Sequence, residues 1–136
     1  MNKGTCCFIG SKSAIDEGVK EIIRANIEDL IIEHSVKKFI VGREGEFETV
    51  CDQILHELNK YYNLTLILVE RKPLPINEIL DNKLKSNYDF VMYPQESEKS
   101  YEETLISRNH WMIDNSEYLI LCVKDGEKVE KDALRY

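Results

Sequence analysis

The chain reads as an α/β protein, with a mainly parallel sheet covered by helices on both faces. Three observations lead there. Short apolar runs alternate with long stretches of helical periodicity, the order that right-handed parallel crossovers require. The run Leu64 to Val69 is uninterrupted, which argues for a strand buried on both faces. Glycines at Gly10 and Gly42 close the first two apolar runs, where strands should turn into loops.

Taken in order, Thr5 to Ile9 is short and apolar and predicts a buried strand. Ser13, with Asp16 three residues on, predicts the start of the first helix through a capping box. Ile15, Val19, Ile22, Ile23, Asn26, Leu30 and Ile31 keep helical spacing up to His34. Lys37 to Val41 predicts the second strand. Glu46 to Tyr62 predicts the second helix, with Phe47, Val50, Cys51, Ile54, Leu55, Leu58 and Tyr62 on one stripe. Leu64 to Val69 is the third strand, and Pro73 and Pro75 break the pattern after it. Ile76 to Leu84 fits a short helix, and Tyr88 to Tyr93 a weaker fourth strand ended by Pro94. A third long helix is expected from about Glu98 to Asn115, and the last strand from Tyr118 to Val123. The tail from Lys124 to Tyr136 mixes four basic and four acidic residues, as in a short solvated helix.

Composition narrows the function. A chain of 136 residues without a linker, repeat or low-complexity segment predicts a single domain over 1–136. No apolar run approaches the ~20 residues that span a bilayer, and the opening residues lack a signal-peptide pattern, so a cytoplasmic location without membrane partners is expected. The net charge is −7, and basic residues cluster only at Lys37-Lys38 and Arg71-Lys72. That excludes an extended nucleic-acid footprint while leaving room for a small anion. Cys6, Cys7, Cys51 and Cys122 each lie in an apolar stretch and form no CxxC pair, so neither zinc nor a disulfide framework is expected, and no cofactor is called for. His34 and His56 lie on helix faces without a paired ligand. Trp111, the single tryptophan, reads as a core or interface anchor.

Candidate site residues come from the strand ends, where parallel sheets bind ligands. Arg108 shares a helical stripe with Tyr101, Leu105 and Met112. An arginine on a core-facing stripe needs an anion, either a structural carboxylate or the phosphate or carboxylate of a ligand, and the strand-end setting favours the ligand. Gly10-Ser11-Lys12 ends the first strand with a close-approach glycine, a hydrogen-bonding hydroxyl and a cation. Gly42-Arg43-Glu44-Gly45 precedes a helix N-terminus, whose unpaired N–H groups suit phosphate. Glu44 and Glu46 read as complements to the helix dipole. Glu48 stands between that role and contact with ribose hydroxyls or an amine.

Three segments also carry a family resemblance. Thr5-Cys6-Cys7-Phe8-Ile9-Gly10-Ser11-Lys12 resembles the TCCFTGHR-like opening of the YpsA-like branch of the SLOG superfamily. Phe39 to Glu48 resembles that branch's strand followed by GxxGxFD, and Arg108-Asn109-His110-Trp111-Met112-Ile113 resembles its RNRWMI helix. The resemblance spans about Thr5 to Val123. It implies a Rossmann-like three-layer sandwich that binds nucleotides or their derivatives. It places Gly10, Ser11, Lys12, Gly42, Gly45, Glu48, Arg108 and Asn109 around the pocket, and Arg43 lies in the same turn. Relatives include phosphoribohydrolases and sensors of nucleotide signals, among them cyclic ADP-ribose-type molecules in antiviral systems. This chain carries Ser11-Lys12 where the branch has His-Arg, and Glu48 where it has Asp. It has no PGGxGTxxE motif, and after its last strand only Asp125-Gly126 stands where the family continues with a Gly-Gly turn.

Three functions fit these residues. The first is a binder of a nucleotide or ADP-ribose-like molecule, acting as a sensor or sequestering a defence signal. The second is a hydrolase of an N-glycosidic or phosphate bond with Glu48 as general base. The third is an interaction module with a decayed pocket. The missing catalytic motif favours binding over catalysis. A homodimer or higher homo-oligomer fits all three, because closed symmetric assemblies are the commonest.

Overall fold

In the computed structural model, residues 3–71, 87–92, 100–123, 132–133 and 136 are described. The element order is β1 (Thr5–Gly10), α1 (Glu17–His34), β2 (Lys38–Val41), α2 (Glu46–Leu58), β3 (Thr65–Val69), β4 (Phe90–Met92), α3 (Tyr101–Asp114) and β5 (Tyr118–Cys122). The five strands are all parallel, in the order β4-β3-β2-β1-β5. The helix fitted to Ile76–Leu84 lies outside the described residues, as does most of the expected tail helix.

Alternation along the strands builds two cores. Cys6, Phe8, Phe39, Val41, Leu66 and Leu68 face α1 and α2. Cys7, Ile40, Ile67 and Val69 face Met112, Trp111 and Ile113 of α3. The fold is therefore a Rossmann-like α/β sandwich of three layers. The chain winds outward from β1 to β4 with α1 and α2 on one face. It then returns through α3 on the other face to place β5 beside β1, as right-handed crossovers in opposite directions require.

The element ends differ from the sequence reading for local reasons. Helix α1 begins at Glu17, capped by Asp16, whose carboxylate accepts from the Val19 N–H at 2.9 Å. Ser13 stays in the preceding loop, its N–H donated to Ser11 Oγ. Within α1 the buried residues are Ile23, Ile27 and Ile31, while Ile22 points outward at 61% exposure. Helix α2 ends at Leu58, and Asn59 Oδ1 then accepts the Leu64 N–H, turning the chain into β3. Ser100 caps α3 through a full capping box with Glu103. Tyr88 lies outside β4. Its hydroxyl donates to both Asp52 oxygens at 2.9 Å, and its ring meets His56 edge-on. Burial raises the Asp52 pKa, partly offset by the Tyr88 hydrogen bond and by the charges of His56 and Arg43.

Trp111 packs against the α3-side core, in the anchoring role expected of it. Cys6, Cys7 and Cys51 are buried, and burial raises the pKa of all three, that of Cys7 to about 11. No helix among the described residues is long and apolar enough to cross a membrane.

Candidate functional site

The residues singled out in the sequence converge at the carboxyl ends of β1, β2 and β3. Helix α3 is the crossover that returns the chain across the sheet, and this path brings Arg108 to the end of β2. There it meets Glu48 from the first turn of α2, on the opposite layer. Arg108 Nη1 donates to Glu48 Oε1 at 2.8 Å, and Nη2 donates to Oε2 at 2.6 Å. Asn109 Oδ1 accepts from Arg108 Nε and Nη2, at 3.2 and 2.7 Å. The two charged side chains are only 1% and 2% exposed. Burial alone would lower the Arg108 pKa. The Glu48 charge and hydrogen bonds, with Glu44 and Glu70 beyond, outweigh it and hold the guanidinium above its ordinary value.

Gly42 explains why this pair can form. A Cβ there would collide with both Glu48 Oε1 and Arg108 Nη1. The bare backbone at the end of β2 is the gap through which one layer's guanidinium reaches the other layer's carboxylate. The two remaining motif glycines also serve packing. A Cβ on Gly10 would enter the Phe47 ring, and one on Gly45, which has φ +118°, would lie 2.8 Å from Lys12 Cα.

The N-terminus of α2 is engaged rather than open. Phe47 N–H donates to the Ser11 carbonyl at 3.2 Å and Glu46 N–H to the Lys12 carbonyl at 3.4 Å. Glu44 N–H donates to Glu48 Oε1 at 3.2 Å. The N–H groups expected to cradle phosphate therefore tie the loop after β1 to α2. Ser11 is itself fully buried, with its N–H on the Cys122 carbonyl.

Around this buried bridge lies a more exposed polar layer. Arg43 Nε donates to Glu70 Oε1 at 2.6 Å. Tyr101, 45% exposed, lies between two cations: Lys12 Nζ is 3.9 Å and Arg71 Cζ 4.4 Å from its ring centroid. Such contacts stabilise by ~0.5–1 kcal/mol each at exposed sites. Lys12 Nζ also donates to the Tyr101 hydroxyl, which donates onward to Glu44 Oε1 at 2.9 Å. Arg71 Nη1 donates to Thr104 Oγ1 at 3.1 Å, and its Nε lies 3.6 Å from Glu44 Oε1.

Of the nine residues expected to bind a ligand, Gly10, Gly42 and Gly45 shape the packing. Ser11, Glu48, Arg108 and Asn109 are buried, and Lys12 and Arg43 reach the surface layer. The buried partner of Arg108 is the Glu48 carboxylate, the structural one of the two kinds of anion that the sequence allowed. With both oxygens held by Arg108, Glu48 is not disposed as a general base. Glu70, Arg71, Tyr101 and Thr104 were not singled out for the site. The strand-end rule, applied to β3 as it was to β1 and β2, would have reached Glu70 and Arg71. Among the described residues, no three His, Cys, Asp or Glu side chains gather as a metal site would need. Two described cavities lie elsewhere, about 290 Å³ between α1 and α2 and about 340 Å³ between α1 and β5. No protein-family model, curated protein or solved structure matches this chain.

Proposed function

We propose that this protein binds a nucleotide or ADP-ribose-like molecule at the carboxyl ends of its strands and releases it unchanged, as a sensor or sequestering protein does. The observation that carries this reading is the gathering of Lys12 and Arg71 about the Tyr101 ring, with Arg43 on Glu70, at the end of the sheet where parallel α/β folds bind ligands. Cations suit phosphates, an aromatic face suits a base, and Glu70 offers acceptors to ribose hydroxyls. The three segments that resemble SLOG motifs meet at this same end, which supports a nucleotide over other anions. The buried Arg108–Glu48 bridge then holds the layers in register beneath the ligand. Engagement of both Glu48 oxygens favours binding over hydrolysis.

The test is thermal stability against a panel of nucleotides, ADP-ribose, its cyclic isomers and NAD, with each ligand recovered and analysed. A ligand at 100 times its Kd stabilises the folded state by about 2.7 kcal/mol, a readily measured rise in Tm. Such a shift with intact ligand is the expected result. A shift with altered ligand would transfer the site to hydrolysis, and no shift across the panel would remove the nucleotide reading.

A further inference from the structure

The charges at the strand ends are not evenly matched. Among the described residues, Arg108 is paired with Glu48 and Arg43 with Glu70. Lys12 and Arg71 are left facing the Tyr101 ring with one carboxylate between them, that of Glu44. This carboxylate lies where an external anion would have to go. It accepts the Tyr101 hydroxyl at 2.9 Å, next in line after Lys12, and stands 3.6 Å from Arg71 Nε. It is only 20% exposed. The fit to Arg71 is incomplete, because Arg71 Nε is buried and has no hydrogen-bond partner among the described residues. A buried guanidinium N–H without an acceptor is costly, and a larger anion with more oxygens would satisfy it.

We infer that Lys12, Tyr101 and Arg71 form a phosphate-group site, and that Glu44 is its internal occupant, a carboxylate standing in for a ligand phosphate. This rests on the nucleotide-binding reading above and assigns the phosphate position within it. A phosphate of charge near −2 matches Lys12 and Arg71 once the Glu44 side chain rotates away. Three phosphate oxygens can take the Tyr101 hydroxyl, the Lys12 ammonium and Arg71 Nε together, where a carboxylate leaves one donor unmet. Arg71 is already aimed, since Nη1 is anchored on Thr104 Oγ1, whose own proton goes to the Tyr101 carbonyl at 2.8 Å. Glu44 thus competes with the ligand for its site and sets a threshold for binding.

The direction of the effect is unusual and makes the test sharp: removing a polar side chain from the site should tighten binding. The probe is inorganic pyrophosphate, titrated calorimetrically into the wild type, Glu44→Gln and Glu44→Ala. Gln keeps an acceptor for Tyr101 and removes only the charge, while Ala also clears the space. We expect pyrophosphate to bind Glu44→Gln at least about tenfold more tightly than wild type, and Glu44→Ala more tightly still, since a charge facing the incoming anion is removed. Adding Lys12→Met to Glu44→Gln should reverse the gain. Equal or weaker pyrophosphate binding by both Glu44 variants would overturn the inference. If those variants also lose an intact nucleotide that the wild type binds, Glu44 contacts that ligand, and the nucleotide reading survives without this assignment. If no variant binds pyrophosphate and the wild type binds no nucleotide, both fall together.

Discussion

Replacing Arg108 with Met tests whether this side chain belongs to the core or to a ligand. Arg108 is 1% exposed and Glu48 2%, with two hydrogen bonds of 2.8 and 2.6 Å between them. Arg108→Met leaves the Glu48 carboxylate buried without a counter-charge, and breaking such a pair from one side costs about 3–5 kcal/mol. A domain of this size has about 5–15 kcal/mol in total, so the variant should lie near the edge of folding. At about 3 °C per kcal/mol, its Tm should fall by about 10–15 °C. Glu48→Leu alone should be comparably damaging, because it strands the guanidinium. The double variant should recover most of the loss, since buried pairs replaced by apolar groups of similar size are often neutral. It still loses the acceptor for the Glu44 N–H, a deficit of about 1 kcal/mol. Urea unfolding of all four proteins closes the cycle, with an expected coupling of at least about 5 kcal/mol, the two single losses less the small loss of the double variant. A single Arg108→Met variant within about 1 kcal/mol of wild type, or a double variant as unstable as the sum of the singles, would refute the buried bridge and return Arg108 to the ligand.

Two further outcomes follow from the same geometry. Gly42→Ala should destabilise by about 3 kcal/mol, because its methyl group must displace Glu48 Oε1 and Arg108 Nη1. Gly18→Ala, in the first turn of α1 with only an ordinary contact at 3.4 Å, should instead stabilise by about 0.5 kcal/mol, and equal effects in thermal melts would contradict the gap assigned to Gly42. The raised Asp52 pKa sets a pH dependence. Its folded state binds the proton more tightly than the unfolded chain does, so the contribution of Asp52 to stability declines as pH rises from 3.8 through the folded value. The stability of Asp52→Asn relative to wild type should therefore rise as pH increases from 3.8, and urea midpoints that stay parallel above that pH would remove Asp52 as the source.

The sheet and its helices were legible because burial leaves a local trace. The unbroken run of β3 and the Phe47-to-Leu58 stripe of α2 record which faces meet the core, and both appear in the fold. The start of α1 was misplaced because Ser13 and Asp16 are both competent caps. The choice fell to Asp16 because residues 11 to 15 are drawn over the end of β1, where the Ser11 and Lys12 carbonyls accept the first N–H groups of α2. Tyr88 looked like strand because its periodicity fits one. Its hydroxyl is instead held by Asp52, a contact 36 residues distant in sequence.

The same division holds at the site. The sequence by itself determined that Arg108 must lie on the buried face of a helix and needs an anion, because helical spacing and desolvation are local facts. Only the tertiary structure decided which anion, since Glu48 lies 60 residues away on the opposite layer and is reached only through the opening that Gly42 leaves. Once that pair has formed, the cations at the strand ends among the described residues include Lys12, Arg43 and Arg71. The last of these sits at the end of β3, and no local pattern marks it as sharing an aromatic ring with Lys12. Parallel crossovers bring strand ends together from distant parts of the chain, and such a site acquires its chemistry only when the sheet closes.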